Sequence, residues 1–288
     1  MKNVTRSIRK KLPQELKAFK HRLLFYYRYA TWGMRPLPDF IIIGTQKAGT
    51  TSLHAYLSQH PQFLKPYEKE VHFFDGGLDP AIDNYEKGQA WYRAHFPFRR
   101  KRGASRVFEA SPLYIFNPLV PGRMFDLLPQ VKIIAMLRNP TDRAISHYFH
   151  EKQRGYELLP IMEALLEEER RLEAAIQGKD YKNYNFIHHA YKSRGHYGEQ
   201  LERYFKFFSR QQVLILSSEE FFRDQNNVLS QVTDFIGADS NFRVKDSRPR
   251  NVAKNKQQVS PDIYEYLNNY FKPRNEALYE LLGKELDW

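Results

Sequence analysis

Phe40-Ile41-Ile42-Ile43-Gly44-Thr45-Gln46-Lys47-Ala48-Gly49-Thr50-Thr51-Ser52 is the stretch on which the fold turns. Its opening residues form a short apolar, β-branched run bounded by Pro38 and Gly44, which suits a strand buried on both faces of a parallel sheet. A Gly-rich turn follows, and then a helical run through about Ser58. A turn placed between a buried strand and a helix N-terminus aims several backbone N–H groups at one point, where the helix dipole also favours negative charge. The stretch therefore reads as an anion cradle.

Outward from it, the pattern predicts strands at Val71–Phe74, Val107–Ala110, Val131–Leu137 and Val213–Leu216. Helical patterns fall at about 118–128, 140–152, 160–176, 194–209 and 225–236, and two more helices, split near Pro273, are expected from about Ser260 onward. Strands alternating with helices mean an α/β fold. We expect a P-loop-type parallel sheet flanked by helices, with a helical C-terminal part. In helix 160–176 the Glu167–Arg171 spacing gives an i,i+4 ion pair, the mark of a solvated helix.

The 288 residues, 42% hydrophobic and 27% charged, suffice for a sizeable core. No run of about 18 uncharged apolar residues occurs, so no membrane-spanning helix is expected. With no cysteine, a disulfide framework, a thiolate zinc site and a cysteine nucleophile are excluded. The net charge of +12 is unevenly spread: residues 1–37 hold ten of the 45 Lys and Arg but one of the 33 acids. The remaining chain is nearly balanced, which argues against general nucleic-acid binding. We read 1–37 as a basic amphipathic N-terminal extension and 38–288 as a single domain. Within the extension Leu16, Phe19, Leu23, Tyr26 and Ala30 recur at helical spacing over 14–31. Such a helix either docks on the body or makes peripheral contact with an anionic membrane. The expected location is cytoplasmic, with membrane association through that helix.

The cradle departs from the nucleoside triphosphatase pattern in one informative way. Gly44 and Gly49 keep the glycine spacing of G-x-x-x-x-G-K-[ST], but Thr50 stands where the lysine belongs, and the lysine has moved into the loop as Lys47. There it lies nearer the first phosphate of a nucleotide than a third, placed to neutralise an oxygen leaving from a 5′-phosphate. The strand 131–137 ends in Arg138, where a magnesium-binding acid would stand in the triphosphatases. Arginine at the C-terminal end of a parallel strand faces the ligand crevice, and its planar fork suits phosphate. Asn139-Pro140 then opens a helix carrying Ser146, a hydroxyl donor toward the same anion.

At these residues the chain resembles the sulfotransferases that use 3′-phosphoadenosine 5′-phosphosulfate (PAPS), above all the branch that includes the heparan sulfate sulfotransferases. Gly44–Ser52 is similar to that family's 5′-phosphosulfate loop, and Leu137–Ser146 to its 3′-phosphate element. Lys69-Glu-Val-His-Phe-Phe-Asp75 resembles the KExxFF segment of the heparan branch. Weaker similarity continues through Ser111–Tyr114, Gly195–Leu201 and Asn251–Trp288, so the resemblance spans about 38–288.

The resemblance implies PAPS as co-substrate with no metal required, and in-line attack of an acceptor hydroxyl or amine on sulfur. It makes Lys47 the residue that stabilises the leaving oxygen. Around the 5′-phosphate it gathers Gly44, Thr45, Gln46, Ala48, Gly49, Thr50, Thr51 and Ser52, and it makes Arg138 and Ser146 ligands of the 3′-phosphate. Lys69 is expected to touch cofactor or acceptor. The base is Glu70 or His72, which the strand reading puts on one face. Glu70 is favoured, with His72 as a histidine that orients it. Late in the chain, 248–256 has no glycine where the heparan enzymes carry a Gly-containing closing loop, and Lys254 or Lys256 stands in. The acceptor is expected to be a glycan or small molecule, with 181–191 as part of its cleft. The competing readings are a P-loop nucleotide kinase with a degenerate Walker loop and a non-catalytic nucleotide-bisphosphate binding module.

Overall fold

The computed structural model describes residues 13–99, 105–248, 250 and 259–288. Five strands form one parallel sheet: β1 (Phe40–Gly44), β2 (Phe63–Leu64), β3 (Arg106–Ala110), β4 (Lys132–Leu137) and β5 (Val213–Ser217), in the order β2-β3-β1-β4-β5. Chain order reverses at β1, with β3 on one side and β4 on the other. In open α/β sheets the ligand crevice lies at the carboxyl ends of such strands.

The apolar runs behave as fully buried strands must. Ile41 and Ile43 of β1 join Val107, Ile133, Ala135 and Leu137 in one core, while Phe40 and Ile42 join Phe108, Ala110, Ile134 and Met136 in the other. Helices cover both faces. The second core takes α2 (Thr50–Leu57), α10 (Ser218–Arg223) and α11 (Gln225–Ile236); the first takes α3 (Gly88–Arg93), α4 (Val120–Leu127) and α9 (Tyr197–Phe205). Each fully buried aliphatic side chain contributes about 1.5–3 kcal/mol. A third cluster unites α5 (Pro140–Gln153), α6 (Ile161–Leu166) and α12 (Pro261–Leu282) through Ala144, Leu165, Leu267 and Phe271.

Three expectations change. Residues 71–74 are not a strand: Glu70 and His72 take left-handed backbone angles, φ 61° and 52°, which no strand ladder accommodates. The C-terminal part is one helix, α12, running through Pro273. Its buried Ile263, Leu267, Phe271 and Leu278 pack on both sides of the proline, and that anchoring outweighs one lost backbone bond. The acidic helix is broken at Glu167 into α6 and α7 (Glu168–Gln177) and is not solvated throughout. Glu168 is buried, accepting the Lys192 and Ser193 N–H groups. Arg171 turns to Glu157 at 2.6 Å and leaves Glu167 to Arg170.

The N-terminal helix α1 (Gln14–Ala30) lies on the body. Phe25 meets His95 and Trp91, and the Arg28 guanidinium sits 3.6 Å over the Tyr67 ring. Among the described residues no helix is long and apolar enough to cross a membrane.

Candidate active site

The loop between β1 and α2 carries Thr45, Gln46, Lys47 and Ala48 and ends on Gly49, which caps α2 in the left-handed conformation, φ 92°. Gly44 has to be glycine for steric reasons, because a Cβ there would overlap Ile115 Cγ2 and lie 3.0 Å from the Pro112 carbonyl. Ala48 points down into the core, and the Thr45 N–H bonds Met136 O of β4 at 2.7 Å. Gln46 turns its side-chain oxygen to Arg194. The loop is thus tied down from below, while among the described residues the N–H groups of Gly49, Thr50 and Thr51 make no hydrogen bond. They are the orphan donors of a helix N-terminus.

Above them the hydroxyls are half used. Thr51 accepts from Lys69 Nζ at 3.2 Å and Ser52 accepts from the Arg250 N–H at 2.9 Å, so each keeps its own hydrogen to donate. Lys47, also left-handed at φ 74°, is half-buried, and its ammonium makes no hydrogen bond or ion pair among the described residues. Burial, and then the Arg138 guanidinium, push its ammonium below the usual lysine range. Arg138 stands at the end of β4 and donates to the Lys47 carbonyl at 3.0 Å. Its own carbonyl is fixed by the Tyr197 hydroxyl at 2.8 Å, and the next N–H by Glu219 at 3.0 Å. Ser146 is half-buried on α5 and, among the described residues, makes no hydrogen bond to Arg138, Lys47 or the loop. Lys254 and Lys256 lie outside the described residues.

Lys69, Glu70 and His72 come together at the rim, although not as a strand. Lys69 pairs with Glu70 as well as reaching Thr51, and His72 Nε2 lies 3.7 Å from Glu70 Oε2. On its other side His72 Nδ1 meets Asp75 Oδ2 at 2.6 Å. Burial works against the charge of both groups and loses. Asp75 and then Glu70 hold the His72 imidazolium up at about 10, and His72 with Lys69 holds the Glu70 carboxyl down at about 2. At neutral pH Glu70 is therefore a carboxylate and His72 an imidazolium. A doubly paired imidazolium has no lone pair with which to take a proton.

Asp75 is the partner that sequence reasoning missed; its place three residues after His72 was visible, but the turn that aims it back was not. Other side chains hold that turn. Tyr114 donates to Glu109 at 2.7 Å and accepts the Phe73 N–H at 2.9 Å, and Asn84 Nδ2 donates to the His72 carbonyl at 3.0 Å. Left-handed non-glycine residues cost of order 1–3 kcal/mol each and persist where surroundings over-determine them.

Behind the loop sits a second set that the sequence did not announce. Arg194, 3% exposed, reaches Gln46 and the carbonyls of Phe186 and Ile187, and among the described residues no carboxylate bonds to it. Burial and neighbouring Arg143 push it down to about 9. Two buried guanidiniums, with Lys47 and Arg138 above, make this end of the sheet a positive well. Beside it, Glu151 of α5 acts on Lys47 electrostatically and holds His188 at 2.8 Å. Tyr156 and Tyr184, both partly exposed, flank the His188 ring at 4.2 and 4.7 Å. Within 181–191, Phe186, His189, Ala190 and Tyr191 are buried, Tyr184 is exposed, and His188 is in between, with its side chain 20% exposed.

The family model described as the sulfotransferase domain matches residues 37–274. The chain is 28% identical to the membrane-associated sulfotransferase kil1 of Dictyostelium discoideum over 88% of its length, covering 66% of that protein. To the mouse heparan sulfate glucosamine 3-O-sulfotransferase 5 it is 27% identical, covering 96% of this chain and 84% of the relative. The crystal structure of a sulfotransferase from Alicyclobacillus acidocaldarius superposes with a TM-score of 0.71 at 35% identity, over 87% of this chain and 98% of that one. The unpaired lysine in the loop, the arginine ending β4 and a domain match over most of the chain converge: this protein belongs to the sulfotransferase family.

Proposed function

We propose that the chain transfers a sulfuryl group from PAPS to a hydroxyl or amine of a glycan or small metabolite. The observation that carries this reading is Lys47, an unpaired ammonium held inside the loop beside three unsatisfied N–H groups. These donors fit a 5′-phosphate bearing one further anionic group, and they leave no place for the lysine that serves a γ-phosphate. Bound, the nucleotide supplies the activated sulfuryl group. Gly49, Thr50, Thr51 and Ser52 hold its 5′-phosphate, Arg138 and Ser146 its 3′-phosphate, with Lys254 or Lys256 assigned to the same group. Lys47 neutralises charge on the oxygen that leaves, an effect worth about 3–4 kcal/mol for one preorganised donor.

Glu70 takes the acceptor's proton. In the free protein it is a weak base, because His72 and Lys69 are both paired with it. Lys69 also touches Thr51, so an anion in the loop competes with Glu70 for that ammonium. Losing part of the pair raises the carboxyl toward its ordinary range and makes it a better acceptor. His72, fixed by Asp75, orients Glu70 and keeps positive charge beside it.

For the acceptor, the shelf of Tyr156, Tyr184 and His188 offers ring faces and a hydrogen-bonding edge, which suits a sugar. The mouse relative's name, which specifies a glucosamine, points the same way. The test is release of adenosine 3′,5′-bisphosphate from PAPS over a panel of sugars, phenols and amines, with EDTA present. Turnover without metal and without ATP hydrolysis supports the proposal. Magnesium-dependent ATP turnover would identify a kinase, and nucleotide binding without turnover of either donor a binding module.

A further inference from the structure

We propose that α1 is a membrane-surface helix that binds anionic bilayers through a face pointing away from the body. At 100° per residue, Leu16, Phe19, Leu23, Tyr26, Tyr27 and Ala30 fall within an arc of about 100°. Leu16, Phe19, Leu23, Tyr26 and Tyr27 are 53–63% exposed. The body is gripped from the opposite side of the helix, by Phe25 against His95 and Trp91 and by Arg28 over Tyr67. An amphipathic helix that docks for stability turns its apolar stripe inward; this one turns it out.

The occupant follows from chemistry at the edges of the stripe. Lys20 borders one edge; at the other stands Glu15, the single acid of the helix, with Arg22 just beyond it, and Lys17 and Arg28 lie further round. Leu and Phe with tyrosines, flanked by cations, match the depth profile of a headgroup layer, where aliphatic chains reach the acyl boundary and phenols and ammoniums stay with the phosphates. A second copy of the chain would set the same cations against one another, which disfavours a helix pair through this face. Trp32 and Met34, just past the helix, are also exposed.

The attachment reaches toward the chemistry. Tyr67, which stacks on Arg28 and accepts from Arg35 at 3.3 Å, lies two residues before Lys69.

Cosedimentation of the full chain with phosphatidylcholine vesicles, with and without phosphatidylserine, tests this. We expect binding to the phosphatidylserine vesicles at least about tenfold tighter than to phosphatidylcholine alone, weakening with salt. Phe19→Glu with Leu23→Glu should abolish it, while the thermal midpoint and turnover of a soluble acceptor stay unchanged. Lys20→Glu with Arg22→Glu should weaken it by about fivefold or more per charge and flatten the salt dependence. The proposal is overturned if the wild type binds neither vesicle, or if the Phe19 and Leu23 variant binds as well as the wild type. It is equally overturned if light scattering shows a dimer that this variant alone dissolves, for then a second copy covers the stripe.

Discussion

The anion loop and the segment 69–75 lie side by side yet are built on opposite principles. The loop works through its backbone: two glycines at fixed spacing and a helix N-terminus create the donors, and side chains such as Ala48 and Gln46 serve only to hold it down. The segment works through side chains, on a backbone left-handed at two non-glycine residues and kept there by Tyr114 and Asn84. The first kind of site is encoded locally, the second by residues scattered over about 45 positions of chain.

The comparison implies that the loop's one chemical side chain can be removed without harming the cradle. Lys47→Ala should lower turnover by about 10²–10³. Calorimetric affinity for adenosine 3′,5′-bisphosphate should stay within a few-fold of wild type, since the N–H donors remain. Equal losses in both would make Lys47 a binding residue and place the leaving-group role elsewhere. Arg138→Ala should do the reverse. Nucleotide affinity should fall by about tenfold to a hundredfold, the 1.5–3 kcal/mol of a charge-assisted bond, with turnover at saturating donor close to wild type.

The same contrast explains what could be read from sequence. β1, the loop, Lys47 and Arg138 were legible because strand burial, glycine spacing and the end of an apolar run are local signals. Glu70 and His72 were legible as residue types but not as a geometry. A period-two pattern suggested a strand, and nothing in Lys69–Asp75 shows that Tyr114 and Asn84 supply the hydrogen bonds a ladder would have supplied. Nor does any local signal say that His72 has a second carboxylate at 2.6 Å. Arg194 was invisible for a related reason: an arginine in a polar stretch reads as exposed until the fold buries it under Gln46. Pro273 misled because packing on both sides of it overrode a local breaker.

Breaking the side-chain half of the comparison should change a pH profile. The folded-state His72 is held at about 10 against an ordinary 6.5. Its charge therefore stabilises the fold fully below about pH 6.5, and that contribution is lost as pH rises through about 10. Asp75→Asn removes the larger of the two carboxylate partners that hold the imidazolium up. The alkaline limb of turnover should move down toward neutrality, and turnover at pH 7 should fall by about tenfold, with nucleotide affinity unchanged. A limb that stays in place would mean that Glu70 alone sustains the imidazolium.

The mildest test removes a support and leaves the charges intact. Asn84 Nδ2 donates to the His72 carbonyl at 3.0 Å, and its Oδ1 accepts from Lys87 at 2.7 Å on the exposed side. Asn84→Ala leaves the His72 carbonyl without its donor and a left-handed residue with one restraint fewer, a loss of about 1 kcal/mol. Turnover should fall by about fivefold, because Glu70 then samples positions away from the acceptor, while the alkaline limb and nucleotide affinity hold. If affinity dropped along with turnover, the segment and the loop would form one mechanical unit through the Lys69–Thr51 contact, and the division into a backbone site and a side-chain site would fail at that hydrogen bond.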